Sequence, residues 1–128
     1  MMQPSDWKTR LLEAVQLIAD QTYQEEVWLR GARERQISSW EELICRLFDD
    51  YDLDGFLLGN WRQAGVSQVQ HDKLVELRDA LNAGLTVFGN APDPAAVLNS
   101  PTWQRIRKLA RETLSYFEPV EAVYSLDN

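Results

Sequence analysis

Apolar residues in this chain recur with the period of an α-helix over most of its length. After Ser5, a residue suited to capping a helix N-terminus, Trp7, Leu11, Val15 and Ile18 fall at spacings of four and three and predict a helix over 5–22. The pattern blurs from Tyr23 to Leu29, and Gly31 is a natural C-terminal stop within a charged connector, Arg30 to Gln36. A second helix is expected over 39–51. Ser39-Trp40-Glu41-Glu42 fits a capping box, in which Ser39 and Glu42 satisfy each other's free backbone amides. Behind it Trp40, Leu43, Ile44, Leu47, Phe48 and Tyr51 make one apolar stripe that must face a core.

Asp52-Leu53-Asp54-Gly55 breaks this helix, and Phe56, Leu57, Leu58 and Trp61 make a short apolar piece of one or two helical turns. Ser67-Gln68-Val69-Gln70 is a second capping box, opening a helix over 67–83 that buries Val69, Leu74, Leu77 and Leu81 and stops at Gly84. Asp93-Pro94 and Ser100-Pro101 each place a capping residue before proline, the order favoured at a helix start. The first opens a short turn. The second opens a helix over 101–117 with Trp103, Ile106, Ala110, Leu114 and Phe117 inward, stopped before Pro119. Leu85 to Asn90 is the best strand candidate, but it is short and has no partner. The expected fold is all-α: a compact single-domain bundle spanning 1–128, with four main helices plus short helical turns. Residues 119–128 form a tail that frays or docks through Val120, Val123 and Tyr124.

Composition narrows the function more than the fold. The chain has 128 residues, 45% of them hydrophobic, enough for one core. Thirteen Lys and Arg against twenty Asp and Glu give a net charge of -7, which argues against binding a nucleic acid or an anionic membrane surface. A single cysteine, Cys45, makes no internal disulfide, and with the single histidine, His71, it argues against a zinc site or a His-based nucleophile relay. Cys45 reads as a small core residue and His71 as a solvated helix residue. With no basic-then-apolar leader and no apolar run of spanning length, a reducing cytoplasm is the expected location. No cofactor and no catalytic machinery is expected.

Asp50-Tyr51-Asp52-Leu53-Asp54-Gly55 matches the first half of a calcium-binding loop. Leu58 and Trp61 stand where the second half needs oxygens, so the alternative is Asp52 or Asp54 capping the next helical turn. Charge placement is the second feature. Glu41, Glu42, Asp49, Asp50, Asp52 and Asp54 face only Arg46 within 41–54. The two glutamates suit a helix N-terminus, whereas the four aspartates sit at a C-terminus, where negative charge is unfavourable. That placement fits an acidic patch for a basic partner, and solubility plus capping is the equal alternative. Arg105, Arg107, Lys108 and Arg111 read as solvated charges or as counter-charges to the acidic run. Trp7, Trp40 and Trp103 lie on core stripes, whereas Trp28 and Trp61 lie in loop-like stretches beside charges. They are candidate exposed anchors, burial beneath a loop being the alternative.

The run from Trp40 to Asp52, WEELICRLFDDYD, followed by the late helix start Ser100-Pro101-Thr102-Trp103-Gln104, resembles small acidic bacterial immunity-type proteins. These are cytoplasmic partners that block the toxin domains of contact-dependent or secreted polymorphic toxin systems. The resemblance carries over no binding residue. It implies a non-catalytic helical module whose acidic face covers a basic toxin surface. On the residues' own chemistry, Asp49, Asp50, Asp52 and Asp54 would steer that encounter and Trp28, Trp61 or Tyr51 would supply desolvated anchors. Homodimerisation through an apolar helix face, as a regulatory or scaffold protein, is the second expectation, and calcium-linked sensing the third.

Overall fold

A computed structural model describes residues 3–29, 40–89 and 92–117. Every regular element among them is helical, and seven helices follow in order. α1 (Pro4–Ala19) is followed by α2 (Gln21–Tyr23), which widens into a π-helical run over Gln24–Leu29. α3 (Trp40–Cys45) and α4 (Leu53–Gly55) widen in the same way, over Arg46–Asp50 and Phe56–Asn60. α5 (Gln68–Phe88), α6 (Pro94–Asn99) and α7 (Pro101–Leu114) complete the chain. α7 packs against both α1 and α5, and these three long helices frame the core.

Local signals set most helix starts. Ser67 and Gln70 form the expected capping box, Ser67 N donating to Gln70 Oε1 at 2.7 Å and Gln70 N to Ser67 Oγ at 3.2 Å. Asp93 accepts from Ala96 N at 3.1 Å and Ser100 from Thr102 N at 3.1 Å, each ahead of its proline. α1 starts two residues earlier than a Ser5 cap implies. Pro4 takes the first helical position, with Gln3 before it making no side-chain cap. The Ser39 cap, the Gly31 stop with its connector, and the 119–128 tail lie outside the described residues.

The core is aromatic at its centre. Trp103, fully buried, holds Trp28 at 5.5 Å and Trp40 edge-on at 5.2 Å between ring centroids. Trp40 in turn meets Phe88 at 5.2 Å. The Phe88 contact depends on α5 running past its expected end. Gly84 is a close-approach glycine: a Cβ there would come within 3.1 Å of Ile106 Cδ1 and 3.4 Å of Trp40. The stop is Gly89, at φ +68°, a conformation open to glycine at little cost. Leu85 to Phe88 are therefore helical, so the best strand candidate in the sequence extends α5 instead.

Three further expectations are corrected. Val69 is 55% exposed, because it stands five residues before Leu74, off the stripe of Leu74, Leu77 and Leu81. Cys45 is exposed, turned away from the buried Leu43–Ile44 face. Arg107 is buried, not solvated: four residues after Trp103, it shares that core face.

Arg107 is accommodated by Gln24, itself fully buried. Gln24 Oε1 accepts from Trp103 Nε1 at 3.0 Å and from Arg107 at 3.2 Å. Its Nε2 donates to Leu17 O at 2.8 Å and Ile18 O at 2.7 Å, satisfying carbonyls at the end of α1. Burial pushes the Arg107 guanidinium below its ordinary value, with Arg111 acting in the same direction and Glu25 opposing it. No basic residue lies in the last turn of α1, and Arg111, donating to Ala19 O at 3.3 Å, reaches that end from α7.

Candidate functional site: the acidic corner at α4

The four aspartates gather at the corner where α3 gives way to α4. The corner is shaped by Asp52, which adopts φ 44° and turns the chain. Aspartate visits this left-handed region more readily than most residues, since its short side chain bonds locally. Here Oδ1 accepts from Gly55 N at 3.1 Å, so Asp52 is the N-cap of α4. A Cβ at Gly55 would meet the Asp52 carboxylate and displace it from its capping position.

Each acid has a different neighbourhood. Asp54 accepts from Arg78 at 2.7 Å, and Asp79 holds the same guanidinium at 2.8 Å. Those two carboxylates raise Arg78 above its ordinary value, Asp54 contributing most. Asp50 stands 3.9 Å from Arg46, a contact between exposed groups that contributes little. Asp49 is exposed, as are Asp50, Asp52 and Asp54. Tyr51 is half-buried, and its carbonyl accepts from Trp7 Nε1, which ties the corner to α1.

The two tryptophan anchors behave differently from expectation. Trp28 is 6% exposed and packed on Trp103, which removes it from the surface. Its segment is helical rather than a loop, and that directs the ring inward. Trp61 is half-buried and stacked on His71 at 4.2 Å between centroids, with Arg62 4.8 Å from its ring. It belongs to the frame of the corner rather than to a free surface.

The exposed apolar group at this corner is Leu58, 86% exposed and four residues beyond Asp54 in the same helical run. Sequence reasoning passed over it, although a signal was present. Phe56, Leu57 and Leu58 are consecutive, and three consecutive helical positions sweep about 200° between first and last, too wide for one inner face. Phe56 and Leu57 are buried and Leu58 is not. His71 was likewise misread as solvated: its side chain is 17% exposed and its Nε2 lies 2.9 Å from Leu57 O.

The calcium reading finds its oxygens engaged elsewhere, in the Asp52 cap and the Asp54–Arg78 pair. Among the described residues no group of three His, Cys, Asp or Glu side chains is disposed to hold a metal ion. Also among them, no helix is long and apolar enough to cross a membrane. No family model, no curated protein and no solved structure matches this chain.

Proposed function

We propose that this protein is a non-catalytic binding module whose α4 corner engages a basic protein surface. The supporting observation is Leu58, 86% exposed and four residues after exposed Asp54 in the same helical run, with exposed Asp49, Asp50 and Asp52 just before that run. Carboxylates around an apolar side chain provide two different services. The charges steer a basic partner into place and set the salt dependence of encounter, while Leu58 gains free energy only when desolvated against a complementary hollow. Full burial of a leucine side chain contributes about 1.5–3 kcal/mol, comparable with a hot-spot residue. The resemblance to immunity-type proteins makes the partner a toxin domain with a basic surface, and the chain's role that of its inhibitor.

The experiment is a parallel capture from the source cell with three baits: the wild-type protein, Leu58→Asp, and a variant carrying Asn at Asp49, Asp50, Asp52 and Asp54. A basic protein retained by the wild type and lost from both variants is the expected result. A partner retained equally by all three baits contradicts the assignment of the corner, and an acidic partner contradicts its electrostatics.

A further inference from the structure

His71 carries a buried ring nitrogen that no group among the described residues satisfies. A carbonyl oxygen only accepts, so the 2.9 Å contact with Leu57 O requires the proton on Nε2. The other ring nitrogen, Nδ1, is buried and has no hydrogen-bond partner among the described residues. The nearest carboxylate oxygen, Asp72 Oδ1, is 3.7 Å away, beyond hydrogen-bond range, and already accepts from Gln68 at 2.9 Å. A buried polar atom without a hydrogen-bond partner is destabilising, so the imidazole is a poor choice for stability alone. What it does achieve is positional. His71 and Arg78 are seven residues apart, two turns along one face of α5, and each reaches across to α4. Arg78 holds the Asp54 carboxylate and His71 holds the Leu57 carbonyl, next in the chain to Leu58. The stack on Trp61 fixes the ring from the far side of Leu58 in sequence.

We infer that His71 is a positioning residue for the docking surface: its Nε2–H bond to Leu57 O sets the direction in which Leu58 is presented. The inference rests on the α4 corner being that surface, and its test uses the free protein, so the two stand or fall separately. A nitroxide placed at Leu58→Cys in a Cys45→Ser background reports local motion by electron paramagnetic resonance. With His71 present the label is ordered by the helix backbone. His71→Gln keeps a donor at similar reach and retains that spectrum, whereas His71→Leu loses the donor and speeds the label's motion roughly twofold or more. Circular-dichroism melts confirm that both variants fold. Identical spectra for all three proteins overturn the inference while leaving the docking reading intact. In the wild-type protein, nitrogen-15 shifts must show a proton on His71 Nε2, and an Nε2 without a proton overturns the inference without any variant.

Discussion

Replacing Gln24 by leucine is the most severe test of how the core is assembled. The side chains are similar in volume, so the substitution opens no large cavity, and its cost is almost wholly polar. Four hydrogen bonds disappear together, those to Trp103 Nε1, Arg107, Leu17 O and Ile18 O. Trp103 Nε1–H is left inside an aromatic cluster with no acceptor, a loss of about 1–3 kcal/mol. Arg107 keeps its charge in a buried position with its Gln24 acceptor removed, and hydrogen bonds to charged groups contribute about 1.5–3 kcal/mol. The two carbonyls at the end of α1 add less, because a helix terminus admits water more readily than the centre of a core. Allowing for non-additivity among coupled partners, the total is about 4 kcal/mol, a large part of the roughly 5–15 kcal/mol stabilising a domain of this size. Urea unfolding followed by tryptophan fluorescence measures it as a drop in midpoint with unchanged slope. A double-mutant cycle with Trp103→Phe isolates the Gln24–Trp103 bond and should give a coupling of about 1 kcal/mol. A loss below about 1 kcal/mol for Gln24→Leu would refute the account of Gln24 as the joint between α1 and α7.

Other outcomes follow from burial and backbone geometry. Leu47→Ala removes a fully buried side chain from the stripe that begins at Trp40 and should destabilise by about 2–5 kcal/mol, read by the same unfolding assay; a loss under about 0.5 kcal/mol argues against the stripe facing the core. Cys45 is exposed, so a thiol reagent should modify one equivalent in the native protein without denaturant, and protection until unfolding would contradict its placement. Gly89→Ala forces a side chain into φ +68° and should cost about 1 kcal/mol or more, whereas an unchanged melting temperature would show that α5 does not end there.

What the sequence made legible was local. The Ser67–Gln70 capping box, the prolines at 94 and 101, and the stripe from Trp40 to Leu47 are decided by residues within one or two turns of each other, and each reappears in three dimensions. Gly84 and Gly89 show where that logic ends. Both are plausible stops, and what separates them is that Ile106 and Trp40 approach Gly84 from other helices. Trp28 and His71 were misplaced for the same reason, since their environments are made by Trp103 and by the Leu57 carbonyl, far away in the chain. Arg107 and Leu58 are different, because each position was readable. Arg107 stands four residues after a core tryptophan, and Leu58 is the third of three consecutive apolar residues, so spacing decides both positions against charge and hydrophobicity. The charge excess marks the acidic corner, whereas of the two tryptophans beside charges Trp28 is buried against Trp103 and Trp61 is half-buried on His71.

The central claim, that the α4 corner steers a basic partner, is tested most directly by the association rate of the captured partner as a function of ionic strength. The comparison is between the wild-type protein and the variant with Asn at Asp49, Asp50, Asp52 and Asp54. Asparagine still caps a helix and tolerates the left-handed conformation of residue 52, so the fold persists while the charge goes. The Asp54–Arg78 bridge is exposed enough that its loss has little effect on stability. The account predicts that the wild-type rate falls by roughly tenfold or more between low and physiological salt, as screening shortens the reach of the field to about 8 Å. The four-Asn variant should start slower and lose most of that dependence, with its dissociation rate changed far less. Equal rates with equal salt slopes for the two proteins would contradict the account and return the four aspartates to capping and solubility.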